Sequence, residues 1–285
     1  MRLSRCGGLL ALVLACSPCA GWTQANIDHT ADRRPVERAL ERLFLLGGKG
    51  DLGSPEGKAL RCGELDRAEV GGPWPFARWD TLVMLGPDHA VARVPAAPVP
   101  VGQALGPGSA AGPARPGGYP DAYLYLDARS PGGAWCLRAI RSLALPGYLY
   151  EMRGLLTALP HPTRQQSARL RNLNLTMASD ADLKDWFAAH RSGLDRLRAL
   201  KPAFARVDTE PGSATPVDEA ETLLEMLGLN SVTTTDGQMD IDIGGILDNT
   251  VGFLHGGTGD APPIDSSDHI WIEPMGDGWF LYRTT

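Results

Sequence analysis

The chain has 285 residues, 43% of them apolar and 21% charged, enough for one large domain or two small ones with an ordinary packed core. Its 27 basic and 33 acidic residues give a formal net charge of −6, which excludes the basic face that a nucleic-acid binder needs.

At the N-terminus, Arg2 and Arg5 precede an apolar run from Gly7 to Ala15, and small residues follow. This is the three-part pattern of a secretory signal, and the run is too short to cross a bilayer. Three processing routes are open. Cleavage after Ala25 has Thr23 at the −3 position, whereas cleavage after Ala20 has the poorer Pro18 there. Alternatively, Val13-Leu14-Ala15-Cys16 resembles a bacterial lipoprotein processing box with a bulky Leu14, which would place a lipid on Cys16. Residues 1–25 are therefore expected to be a signal peptide and the mature chain to lie in the periplasm, soluble or tethered to the outer membrane. No later stretch approaches 18 consecutive apolar residues, so membrane contact is expected only through that anchor.

Cleavage after Ala20 or Ala25 removes Cys6, Cys16 and Cys19 and leaves Cys62 and Cys136 as an even pair. In an oxidising compartment these are expected to form a disulfide. Neither belongs to a Cys-x-x-Cys arrangement, so zinc or redox chemistry has no support.

In the mature chain, Val36, Ala39, Leu40, Leu43 and Phe44 share one helical stripe that runs to a stop at Gly47-Gly48. Ser54 with Pro55 opens a second short helix. Thr81–Leu85 and His89–Val94 predict two antiparallel strands around Gly86-Pro87-Asp88. Residues 95–120 hold 7 Pro, 6 Gly and 6 Ala with one charge, Arg115, and cannot bury enough surface to order themselves. Because the next hairpin, Ala122–Leu126 with Trp135–Ile140, needs the earlier strands as partners, 95–120 is expected to be a long loop inside one sheet.

Gly147–Leu159 predicts a helix ended by Pro160-His161-Pro162, and the alternation of Leu173, Leu175 and Met177 predicts a strand. Ser179 caps an amphipathic helix running to Leu200. Thr215 and Gly228 bracket another, over 216–227. Ser231–Thr235 and Gln238–Ile243 flank Asp236-Gly237, a hairpin signal. Thr250–His255, His269–Ile272 and Trp279–Thr284 complete the strands.

Side by side, LVMLGPDHAVARV resembles IDIGGILDNTVGFLH, and each is followed by a loop, an aromatic strand and a glycine turn. The expected fold is α+β in two halves, 26–160 and 161–285, each with helices followed by a mostly antiparallel sheet meander, after the signal peptide. An internal repeat would account for the pairing.

Several chemistries fail on spacing. His255-Gly256-Gly257 suggests oxyanion donors, but no Gly-x-Ser-x-Gly nucleophile turn occurs. Asp236, Asp240, Asp242 and Asp248 do not fit a calcium loop, and Asp240 and Asp242 are expected on a solvated strand face. His190 reads as a core or boundary residue, while His255 and His269 flank one loop and would make at most a weak site. Gly47-Gly48-Lys49-Gly50 follows a helix instead of opening one, so it reads as a terminator and not a phosphate cradle. No metal or cofactor is expected.

Tyr123, Tyr125, Trp271, Phe280 and Tyr282 occupy alternate strand positions and would form an aromatic outer face suited to a protein partner. The expected function is an exported envelope binding protein without catalysis, an inhibitor or immunity-type partner of an envelope-directed enzyme. A small-ligand carrier and a periplasmic enzyme with a carboxylate site are the alternatives.

Overall fold

The computed structural model describes residues 27–28, 30–68, 74, 76, 78–95, 121–200, 215–235, 237–256, 264–265 and 267–285. The expected leader with Cys16, and nearly all of the 95–120 loop, lie outside them. No described helix is long and apolar enough to cross a membrane.

The N-terminal part comprises α1 (Arg34–Lys49), α2 (Pro55–Ala59) and strands β1 (Thr81–Met84), β2 (His89–Val94), β3 (Ala122–Ala128) and β4 (Trp135–Ser142). The expected stripe of α1 buries Val36, Ala39, Leu40 and Leu43, but Gly47-Gly48 does not stop it. A Cβ on Gly47 would lie 2.8 Å from the Trp74 ring, so that glycine admits a close packing partner. The stop is Gly50, which takes the left-handed conformation at φ 75° and donates its N–H to the Gly47 carbonyl. Strands β1 to β4 form an antiparallel sheet in chain order, with Val94 paired to Ala122 across the base of the long loop, so β2 and β3 are neighbours as expected.

Four helices follow: α3 (Gly147–Thr157), α4 (Arg164–Thr176), α5 (Asp180–Ala199) and α6 (Thr215–Leu227). The strand expected at 173–177 is instead the end of α4. Leu173 and Leu175 alternate because α4 lies between other helices and the second sheet, so residues on two of its sides are buried. Its start is fixed by a reciprocal capping box, Thr163 accepting from the Gln166 N–H and the Gln166 side chain accepting from the Thr163 N–H.

The second sheet holds β5 (Ser231–Thr235), β6 (Gln238–Ile246), β7 (Asn249–Gly256), β8 (Trp271–Gly276) and β9 (Trp279–Arg283) in the order β5-β6-β7-β9-β8. The fold is thus α+β with two antiparallel sheets, but the second is not a simple meander: β8 lies outside β9 at the sheet edge. Its counterpart in the expected repeat, β3, pairs directly with β2, so the two copies of that pattern differ in strand order.

Three cores stack the layers. The first joins α1 to Leu82, Leu124, Leu126 and Leu137 of sheet one. The third joins α3 to α6 with Met239, Ile241, Phe253, Trp279 and Leu281 of sheet two. Leu143 and Leu145 before α3, and Leu149 and Tyr150 within it, belong to this last core. Between them, the opposite faces of the two sheets meet around Val91, Tyr123, Tyr125, Leu254, Trp271, Phe280 and Tyr282.

Candidate functional site

The five aromatics expected on an outer face are all inside. Tyr123, Tyr125, Trp271, Phe280 and Tyr282 are each no more than 4% exposed. Alternation placed Tyr123 and Tyr125 correctly on the face opposite Leu124 and Leu126, but that face is covered by the other sheet, so these rings pack between the two sheets. Trp271 stacks on Tyr123 at 5.1 Å, and each ring buried here stabilises the sheet contact by about 2–3 kcal/mol.

At the edge of this interface a charged network crosses between the parts. Arg93 on β2 contacts Asp80 at 2.9 Å and Glu273 on β8 at 2.8 Å. Asp180, the first residue of α5, accepts from Arg283 at 2.7 Å and from the Tyr123 hydroxyl at 2.9 Å, with Asp180 and Arg283 fully buried. Asp121 accepts from the Asp180 N–H. Burial opposes the charge on Arg93, yet Asp80, Glu273 and Asp180 together more than offset it, and the guanidinium holds its proton more tightly than a free one. None of this was legible in the sequence, since partners lie up to 180 residues apart. Each of these residues has a partner within the protein, although the buried Arg283 Nη1 makes no hydrogen bond among the described residues, and the network acts as a brace.

Beside the brace, β1 and β8 border a cleft of about 310 Å³, with Arg33 and Thr81 on one side and Trp271 and Glu273 on the other. This is at the lower end of small-molecule site volumes.

Asp240 and Asp242 do share one face of β6, opposite Met239, Ile241 and Ile243, but that face is only half solvated. Burial pushes both carboxyls up, opposed at Asp240 by the Tyr282 hydroxyl donating at 2.9 Å and at Asp242 by Asn230 donating at 2.7 Å. His269 reaches this side through the Tyr282 ring, whereas His255 packs on Trp279 and contacts Arg198 on the helix side, so the two histidines do not converge. No group of three or more His, Cys, Asp or Glu placed to hold a metal occurs among the described residues. His190 is half-buried, stacked on Trp186 at 4.5 Å, as a boundary residue should be.

Cys62 and Cys136 form the expected disulfide, with Cα atoms 5.8 Å apart. It ties the segment after α2 to β4.

The remaining feature is a turn. Ile246 pairs with Asn249, leaving Leu247 and Asp248 as a two-residue hairpin connection between β6 and β7. Such turns need positive φ and take Asn, Asp or Gly. The β8–β9 turn obeys, with Asp277 at φ 52° and Gly278 at φ 75°. At the β6–β7 tip the residue at φ 53° is a leucine, and it is 89% exposed. A branched side chain in the left-handed region costs about 1–2 kcal/mol. The tip is held in place nonetheless: Thr284 donates its hydroxyl to the Asp248 carbonyl and accepts from the Thr250 N–H, while Asn249 accepts from the Ala144 N–H at 3.2 Å. Gly245 allows the tight crossing beneath it, where a Cβ would come within 2.0 Å of the Asn249 carbonyl. The sequence signal was available: Ile-Leu-Asp-Asn has an apolar residue where a turn residue belongs.

Comparison with protein families, curated proteins and solved structures finds no match for this chain.

Proposed function

We propose that the chain is an exported envelope binding protein acting without catalysis, an inhibitor or immunity-type partner of an envelope-directed enzyme, and that the braced hairpin tip is its contact. Leu247 carries this reading: an apolar side chain, almost fully exposed, in a strained conformation at a tip bonded to two other segments, at Ala144 and Thr284. Strain kept at an exposed position is the signature of a functional contact, and a rigid apolar tip enters a pocket with little ordering cost. The Cys62–Cys136 disulfide supports an oxidising destination, consistent with the leader-like N-terminus. The negative net charge suits a cationic enzyme.

The test is capture of the tagged full-length chain, exported by its own leader, from a native envelope extract beside the Leu247→Asp variant. Aspartate tolerates the left-handed region, so the fold is unaffected while the apolar anchor is lost. The expected result is one enzyme near equimolar amounts with the natural chain and none with the variant. In the same extract Cys62 and Cys136 should resist alkylation until reduced. A chain that holds no enzyme but carries a small molecule in its native mass spectrum would overturn the reading in favour of a ligand carrier using the β1–β8 cleft.

A further inference from the structure

A sheet edge carries a row of backbone donors and acceptors, and proteins that stay monomeric block such rows. Among the described residues, three of the four edges are blocked. At β1, the Met84 carbonyl accepts from the Asp28 N–H at 2.8 Å and the Leu82 carbonyl from Arg33 at 2.6 Å. At β4, Leu137 donates to the Leu60 carbonyl and accepts from the Cys62 N–H, and the disulfide locks that pairing covalently. At β8, Pro274 removes a donor and the register slips before Gly276.

The fourth edge is β5, Ser231-Val232-Thr233-Thr234-Thr235. Its backbone pairs only with β6 among the described residues, and it carries no charge and no proline. Thr233 and Thr235 are exposed. We propose that β5 pairs antiparallel with β5 of a second copy of this chain about a two-fold axis at Thr233, joining the two five-stranded sheets into one of ten strands.

The strand is self-complementary about that axis. Thr233 meets its own copy, Val232 meets Thr234, and Ser231 meets Thr235, so every pair is neutral and rich in the β-branched residues that favour cross-strand contact. The faces agree as well. Ser231 and Thr233 lie opposite Asp242 and Asp240 and share their side of the sheet, while Val232 packs toward the helix core. Like charge does not oppose the pairing. The two copies of β6 would stand three strand spacings apart, about 14 Å, beyond the screening length at physiological salt. An interface of this size predicts a dimer that dissociates on dilution.

Sedimentation velocity of the purified chain over a concentration series tests this, beside Thr233→Lys and Thr233→Cys. The natural chain should shift from monomer to twice that mass as concentration rises. Thr233→Lys, which sets two ammonium groups against each other on the axis, should stay monomeric with an unchanged circular dichroism spectrum. Thr233→Cys should cross-link into a dimer on mild oxidation and revert on reduction. A monomer at every concentration, or a dimer that survives Thr233→Lys while Thr233→Cys fails to cross-link, would overturn the proposal. So would occupation of β5 by a strand of another protein in preference to a second copy. None of these outcomes depends on whether Leu247 binds an enzyme.

Discussion

The two sheets are built from similar strands but closed by different means. Sheet one runs in chain order, and its outer strands are finished by hydrogen bonds from Asp28, Arg33 and Leu60–Cys62 together with a disulfide. Sheet two brings β9 between β7 and β8 and is anchored to its neighbours by buried charge, with Arg283 at its centre held by Asp180 at the start of α5. Resemblance between two stretches of sequence reports which faces are apolar; it does not report which strands become neighbours.

Removing Asp180 should break the comparison most sharply. Asp180→Ala leaves the Arg283 guanidinium buried without its carboxylate and strips the Tyr123 hydroxyl of its acceptor, a loss of about 3–5 kcal/mol by urea unfolding. On sheet one the half-exposed Asp127, which meets His89 and Arg138, should cost less than about 1 kcal/mol on change to alanine. Equal losses would mean that the buried network carries no special share of the stability.

The disulfide is the complementary lever. It closes a span of 74 residues, and replacing both Cys62 and Cys136 by alanine should cost about 2–4 kcal/mol. The loss should be regional: amide exchange should quicken in β4 and in the segment after α2 before it does in β6 and β7. Uniform quickening would show that the sheets unfold as a single cooperative unit.

Local signals carried much of this fold. The stripe of α1, the Ser179 cap of α5, the Asp236-Gly237 hairpin and the even cysteine pair all follow from neighbours in the chain, and the elements stand where those signals put them. The strand misread at 173–177 shows where such reasoning stops. A helix buried on two sides loses its 3.6-residue period and imitates alternation, although the Thr163–Gln166 capping box marked the correct answer. The aromatic faces failed for another reason. Alternation assigns side chains to two faces but cannot tell which face another layer covers. In this chain the cover on Tyr123 is Trp271, from the far end of the sequence. The brace was illegible as a site because its partners are brought together only by folding, whereas the Leu247 tip was marked by an apolar residue at a turn position.

A smaller effect separates the exposed and buried sides of sheet two by pH. Burial raises the Asp240 and Asp242 carboxyls above the usual 3.8, so the folded state prefers them protonated. The stabilising contribution is fully present below the unfolded value and is lost as pH rises through the raised folded values. Asp240→Asn should therefore stabilise the protein at neutral pH, and the gain should vanish below about pH 4. A gain that persists into acid would show that the side chain, not its charge, is what the site resists.

The two hairpin turns of sheet two supply the finest comparison. The β8–β9 turn has Asp277-Gly278 in the conformation those residues favour, whereas the β6–β7 turn forces Leu247 into the left-handed region. Leu247→Gly relieves about 1–2 kcal/mol of local strain, but glycine's extra freedom in the unfolded chain returns about half of it. The expected net gain is about 0.5–1 kcal/mol, read as a higher midpoint in urea. Asp277→Gly, starting from a residue that tolerates its conformation, should gain less. If the folded protein becomes more stable when Leu247 is removed while capture of an enzyme partner is lost, the leucine is held there against the interest of the fold, as a contact made for another molecule. If Leu247→Gly costs stability instead, the tip is an ordinary part of the hairpin, and the positive φ is offset by packing that its exposure conceals.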